Sequence, residues 1–333
     1  MKQVTVKDLA NKLSLHYTTV SKALSGHPDI STDTKNRVIS LAKELDYHPN
    51  SIAKSLKKQA TSTIGIIVPS IKIDFFSAVI SGVEEVAYEQ GFNTVVCQSN
   101  EDSEREAIHV RTLISNRVDG VLVSVSQSTT SGKHFRALQK RGIPLVFFDR
   151  ICENIEADKV VVDDYGGAAQ AVRHLIQFGY RSIVHLAGPK NTSISRERCR
   201  GYTDELLRNG IAVDDELIIY GGLEEKDGIA AFSELRTLDK MPEAVFTVND
   251  PVAIGLYKEI KRHGLEIPKD MAIVGFGDVK LSSYLDPPLT TVIQSPYKVG
   301  KAAADMLLSR IENPGTATKV KVIETKLIVR ESV

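Results

Sequence analysis

The sequence predicts a small all-α helix-turn-helix head followed by an α/β body of two doubly wound parallel-sheet lobes. Three observations carry this expectation. Residues 1–60 hold three short amphipathic stretches with helical spacing. Beyond them, short β-branched runs alternate with amphipathic segments of a dozen or so residues. That alternation occurs twice over, which argues for two parallel units rather than one.

Charge separates the two parts. The whole chain balances 42 Lys and Arg against 42 Asp and Glu over 333 residues, yet residues 1–60 carry nine Lys and one Arg against five acids. A head of +5 thus sits on a body of −5, and such asymmetry points to nucleic acid as a partner. With 42% apolar and 25% charged residues the chain can bury a large core. Cys97, Cys152 and Cys199 are too few and scattered for a disulfide framework or a metal knuckle, and they read as core thiols in a reducing compartment. No apolar run reaches membrane-spanning length, and the amino terminus arrives at Lys7 and Asp8 without a signal-type stretch, so a cytoplasmic location is expected.

Each head element has a local cause. Thr5 followed by Asp8 reads as a capping box, and Val6, Leu9, Ala10 and Leu13 form the apolar stripe of a first helix. From Tyr17 to Ser25, helical spacing sets Val20, Ala23 and Leu24 on one side and Tyr17, Thr18, Ser21, Lys22 and Ser25 on the other. Ser31 caps a third helix with the stripe Val38, Leu41, Ala42 and Leu45, ending near Tyr47-His48-Pro49 because the residue before proline avoids helix. Three helices so spaced have the form of a helix-turn-helix. The polar face of the second helix is either a DNA-reading surface or simply solvated.

From Thr5 through Tyr17-Thr18-Thr19-Val20-Ser21-Lys22 to Asn50-Ser51-Ile52-Ala53-Lys54-Ser55-Leu56, the chain resembles the amino-terminal domain of the lactose-repressor (LacI/GalR) family, in order and spacing without a gap. The resemblance implies that the second helix enters the major groove and reads bases from Tyr17, Thr18 and Lys22. Lys22 stands where the family often has arginine and lacks the bidentate fork. Thr5, Ser21, Ser25, Ser31, Thr34 and Asn50 would then lie near phosphates. His16 departs from the family's usual Ser or Thr at the entry to the second helix. Residues 49–62 are expected to be hinge and linker. A helix over 50–58 is too short to be stable alone, roughly 12 to 15 residues being needed. By resemblance, Ile52, Ala53 and Leu56 from two subunits pair in the minor groove, with Leu56 as a kinking wedge.

In the body the expected strands are Ile64 to Val68, Asn93 to Cys97, Gly120 to Val125 and Leu145 to Asp149, then Lys159 to Val162, Ile183 to Ala187, Leu217 to Tyr220, Ala244 to Val248 and Ala272 to Phe276. A helix from Pro296 to Ile311 and a last strand near Val320 to Val329 complete the chain. This part resembles the type I periplasmic sugar-binding fold. The likeness implies crossovers near Asp163, Thr290 and Lys321, with one lobe at 63–162 plus 292–320 and the other at 163–290 plus 321–333.

Doubly wound lobes also host enzymes, but the signatures are missing: no G-x-G-x-x-G after the first strand, no G-x-x-x-x-G-K-[ST], no H-E-x-x-H and no G-x-S-x-G. No enzyme activity, cofactor or metal is expected. Ligands in such folds bind at carboxyl ends of strands. Phe75, Phe76, Asp149, Arg196, Arg198, Leu223, Asn249 and Asp278 are the candidates, and Arg198 and Asn249 match the family's effector-binding motifs. For any single one of them, a helix cap or a surface charge is the competing reading. Gly277 stands where many relatives carry Asp, which moves the carboxylate to Asp278, and Leu223 replaces an aromatic. The resemblance implies a regulator of transcription, in repressor form, bound as a homodimer to a double-stranded pseudo-palindromic operator, with a sugar as effector and a purine or other metabolite behind it. A metabolite-binding protein without linked regulation is the alternative. The last strand is followed by no heptad tail, so a dimer rather than a tetramer is expected.

Overall fold

The computed structural model describes residues 4–47 and 60–333. The chain falls into two compact units divided between Thr61 and Ser62. The expectations placed on Asn50, Ile52, Ala53 and Leu56 lie outside the described residues.

The head holds α1 (Val6–Leu13), α2 (Tyr17–Leu24) and α3 (Thr32–Glu44). The capping box of α1 is complete: the Thr5 amide donates to Asp8 Oδ2 at 2.8 Å, and the Asp8 amide donates to Thr5 Oγ1 at 3.3 Å. Satisfying two otherwise orphaned donors in this way fixes where the helix starts. His16 caps α2 despite being neither Ser nor Thr, its Nδ1 accepting from the Thr18 amide at 3.5 Å and lying 2.8 Å from Thr18 Oγ1. Leu9, Ala10, Val20, Ala23, Val38 and Ala42 form the buried centre, with Leu13, Leu24, Leu41 and Leu45 packed around it. Each helix contributes one apolar stripe, and none could bury its own alone.

The body is built on two six-stranded sheets. Its first strands and helices are β1 (Thr63–Val68), α4 (Asp74–Glu89), β2 (Asn93–Gln98), α5 (Ser103–Ser115), β3 (Gly120–Val123), α6 (Arg136–Gln139), β4 (Leu145–Phe148) and β5 (Asp158–Val162). There follow α7 (Asp164–Gln177), β6 (Ile183–Ala187), α8 (Ser193–Arg208), β7 (Ile218–Tyr220), α9 (Glu225–Leu235), β8 (Ala244–Thr247), α10 (Asp250–Arg262) and β9 (Ala272–Gly277). Last come β10 (Thr290–Ile293), α11 (Pro296–Glu312), β11 (Val320–Ile323) and β12 (Lys326–Ile328). The sheet orders are β11-β5-β4-β3-β1-β2 and β12-β10-β9-β8-β6-β7. Every described pairing is parallel except β12 on β10. The central strands are apolar throughout because both of their faces are covered: Ile64, Ile66 and Val68 face one core cluster and Ile67 another. At the α4–α11 contact a Cβ on Gly82 would meet the Tyr297 carbonyl at 2.3 Å, and one on Gly300 the Val79 carbonyl at 2.1 Å. Glycine at both positions lets the two helices meet backbone to backbone.

Three boundaries differ from the sequence reading. The stretch through Thr290 is itself a strand of the second sheet, so the chain crosses back at Gln294–Ser295 and not at Thr290. The run from Val320 to Val329 is two strands in different sheets, β11 beside β5 and β12 beside β10. The last crossover is therefore at Glu324–Thr325 rather than Lys321. It lies against the first one: the Asp163 amide donates to the Ile323 carbonyl at 3.0 Å, and Thr325 Oγ1 donates to the Asp163 carbonyl at 3.1 Å. A continuous β-branched run carries no mark of the hydrogen bond that breaks it.

Candidate functional site

The head presents one polar surface. Tyr17, Thr18, Ser21, Lys22 and Ser25 are all exposed, while Val20 and Ala23 behind them are buried. Lys22 Nζ lies 3.2 Å from Asp29 Oδ2. Several hydroxyls read as phosphate contacts already have partners within the head. Thr5 Oγ1 donates to Asp8 at 2.7 Å, Ser25 Oγ donates to the Lys22 carbonyl at 3.0 Å, and Ser31 Oγ donates to Thr34 Oγ1 at 2.9 Å. A hydroxyl can accept and donate at once, so these bonds orient the groups.

A cavity of about 230 Å³ lies between the two lobes. Ile73, Phe75, Phe76, Asp149 and Arg150 line it from the first lobe, and Arg198, Leu223, Asn249, Phe276 and Asp278 from the second, with Gln294 at a crossover. Phe75 and Phe76 open α4 directly after β1 and meet edge to face at 5.3 Å between ring centres. Asp149 follows β4 with a left-handed φ of 59°, which turns the chain sharply at the strand end. Its Oδ2 accepts from Ser124 Oγ at 3.0 Å, and burial pushes its carboxyl up from the usual range against the pull of Arg150 and Arg198. A larger polar groove of about 1160 Å³ shares Ile73 and Leu223 with this cavity, and Glu101, Asp102, Glu224 and Asp227 line it along with Lys72 and Lys226.

Four of the sequence candidates have roles that differ from those expected. Arg198 is buried and already engaged: Nε and Nη2 donate to Asp164 Oδ1 at 2.8 and 2.7 Å, Nη1 donates to the Val248 carbonyl at 2.5 Å, and its guanidinium stacks 3.7 Å from the centre of Phe276. Asn249 is the N-cap of α10, its Oδ1 accepting from the Val252 amide at 3.0 Å while Nδ2 donates to the Leu223 carbonyl at 2.9 Å. Asp278 still reaches the cavity from one place later, and Arg330 holds its carboxylate at 2.6 Å. Arg196 is not brought to the cavity with the others. It pairs instead with Glu153 of the first lobe at 2.6 Å and donates to the Asn191 carbonyl at 3.0 Å. Residues two apart on a helix point about 200° apart, so Arg196 and Arg198 cannot serve one pocket.

Sequence reasoning missed Arg150, Asp164, Phe276 and Gln294. Arg150 is buried and donates from Nη1 to both Glu101 oxygens at 2.8 and 2.9 Å, while its Nε, which makes no hydrogen bond among the described residues, lies 3.8 Å from Asp149 Oδ2. Its place beside Asp149 at a strand end was the signal available. Asp164 opens α7; burial pushes its carboxyl up to about 6, with Arg198 opposing. Asp250, next to Asn249, faces inward: it accepts from the Val279 amide at 3.0 Å, from Ser282 Oγ at 2.6 Å and from Thr291 Oγ1 at 2.5 Å, and so anchors the loop that carries Asp278.

A three-helix head with an exposed polar helix face, together with a two-lobed body that has a small cavity between its lobes, defines a regulatory protein that joins a DNA-binding module to a ligand sensor. Residues 5–50 match the bacterial regulatory proteins of the lacI family, and residues 172–333 match the periplasmic binding protein-like domain. The chain is 32% identical over 329 residues to the ribose operon repressor of Haemophilus influenzae and equally to the transcriptional repressor PurR of Vibrio campbellii, covering 99% of this chain and 98% of each relative. The lac repressor dimer bound to operator and the anti-inducer ONPF superimposes with a TM-score of 0.88 at 25% identity, covering 99% of both chains. The chain belongs to the LacI family of bacterial transcriptional regulators and is not an enzyme.

Proposed function

We propose that the protein is a transcriptional repressor that binds a pseudo-palindromic operator as a homodimer in the cytoplasm, at the nucleoid, and is controlled by a neutral sugar held between its lobes. The observation that carries the effector half is a cavity lined from both lobes, because a ligand touching both has different affinity for open and closed arrangements. Such a difference is what moves a conformational population. Residues 1–48 serve as the DNA-binding domain, 49–62 as hinge and 63–333 as sensor and dimerisation domain. Tyr17, Thr18 and Lys22 read bases, the hydroxyl set with Asn50 sets register on phosphates, and Ile52, Ala53 and Leu56 occupy the minor groove.

The cavity chemistry favours a sugar. Asp149 offers an acceptor and Arg150 a donor from the first lobe, Asp278 and Gln294 add polar groups, and the rings of Phe75, Phe76 and Phe276 complete the lining. The two guanidiniums are neutralised, Arg150 by Glu101 and Arg198 by Asp164, Lys280 in the lining stands against Asp74, Asp149 and Asp278, and the neighbouring groove carries four carboxylates against two lysines. An anion such as a sugar phosphate is repelled there, whereas a polyhydroxylated ring finds paired donors and acceptors. A purine is the second reading, favoured by the PurR relative and the aromatic and aliphatic side chains in the cavity lining. The experiment is a gel shift on operator DNA selected from a random pool, with pentoses, hexoses and purine bases added in turn. A neutral sugar should alter occupancy at concentrations where its phosphate ester does not; a response to purines alone transfers the assignment to the second reading.

A further inference from the structure

Asp29 lies in the head beside Lys22. It occupies the turn between α2 and α3 and is well exposed, yet its Oδ2 is 3.2 Å from Lys22 Nζ and 3.4 Å from His27 Nδ1. Its own amide donates to His27 Nδ1 at 3.3 Å, and Pro28 restricts the backbone immediately before it. Proline and the amide bond fix the backbone of this turn, His27 Nδ1 being the acceptor there, and the turn sets the Asp29 carboxylate within reach of Lys22 Nζ.

We propose that Asp29 is a specificity-determining residue that withholds Lys22 from DNA phosphates. The proposal rests on Lys22 being a base-facing donor. A lysine ammonium is a point charge on a flexible stem, and beside a duplex it drops onto the nearest phosphate, a contact that carries no sequence information. Tethered to Asp29, Nζ keeps donors free for a guanine edge, whose O6 and N7 both accept in the major groove. A phosphate drawing Nζ outward must instead break the ion pair and approach a carboxylate. The cost falls chiefly on random DNA, so the specificity ratio rises while absolute affinity drops.

The test measures binding of the full chain to a random-sequence duplex by fluorescence anisotropy over a range of salt, for wild type, Asp29→Asn, Lys22→Met and the double variant. Asp29→Asn should bind about three- to fivefold tighter, the size of an exposed ion pair. The slope of log K against log salt should steepen by about one, as one more phosphate is neutralised. Both effects should shrink to less than about half in the Lys22→Met background, and Asp29→Ala, which changes the turn differently, should show the same coupling. An equal gain with and without Lys22 means that Asp29 is merely a repelling charge, and no gain at all also overturns the proposal. Should Lys22→Met leave affinity for a selected operator pool unchanged, it is the base-facing role of Lys22 that fails, a result separable from either of those.

Discussion

Arg198 gives Nε and Nη2 to a single oxygen of Asp164, at 2.8 and 2.7 Å, so the group expected to grip an effector is first of all the counter-ion of a buried acid. Burial lifts Asp164 to about 6 from an ordinary value of 3.8. A raised carboxyl binds its proton more tightly in the folded protein than in the unfolded chain. Its ionisation therefore costs nothing at pH values below both, costs progressively more as pH climbs from about 4 to about 6, and reaches on the order of 3 kcal/mol above that. Asp164→Asn lacks this titration. The melting temperature of wild type minus that of the variant should fall as pH rises through this window and level off above it; a difference that rises with pH contradicts the assignment.

Arg196 and Glu153 bridge the lobes at 2.6 Å, and nearby Ser193 Oγ accepts from the Ile151 amide at 3.2 Å while Asn191 donates to the Gln127 carbonyl. These contacts form a polar seam beside the cavity without lining it. Charge reversal by Arg196→Glu should weaken effector affinity by up to about fivefold, because both partners are largely solvated. Adding Glu153→Arg should restore it. Calorimetric titration of both variants decides, and equal loss in single and double variants removes the seam from the closure equilibrium.

Effector contacts can be read from thermal shift. A compound at one hundred times its dissociation constant contributes roughly 2.7 kcal/mol, which for a body of this size corresponds to about 5 to 10 °C. Arg150→Met and Asp149→Asn should each remove most of that shift. Arg198→Ala should lower stability even without ligand, by about 3 kcal/mol or more, because Asp164 is left buried without its partner. If Arg150→Met keeps the full shift, Arg150 does not contact the ligand.

The minor-groove role assigned to Leu56 predicts an asymmetric loss. Leu56→Ala should weaken selected operator by tenfold or more, on the scale of the unstacking it would no longer support, while random duplex is held within about twofold. Parallel titrations at fixed salt measure both. A uniform loss makes Leu56 an ordinary linker residue.

Most of the fold was legible because periodicity and caps are local. Thr5 with Asp8, and Val20 with Ala23, announce their helices within a single turn. The crossovers were less so, since Thr290 and Val320 differ from strand residues of the other lobe only in their hydrogen-bond partners, and those lie far off in sequence. The cavity was half legible. Strand ends pointed to Phe75, Phe76, Asp149 and Asp278, which line it, but nothing in the pair Arg196 and Arg198 says which faces inward until the phase of α8 is known. Arg198 could not be seen as engaged without Asp164, 34 residues earlier.

The interleaving of β11 and β12 has a consequence for biosynthesis. The first sheet lacks an edge strand until Val320–Ile323 has been made, and in the second Ser332 Oγ donates to the Ile273 carbonyl at 2.6 Å while accepting from the Thr290 amide at 2.8 Å. Neither lobe can mature while the ribosome is still working through α11. Both halves of the sensor therefore reach completion almost together, once the segment from Val320 to Ser332 has been made, which leaves long-range strand pairing, parallel in one sheet and antiparallel in the other, as a late step of folding.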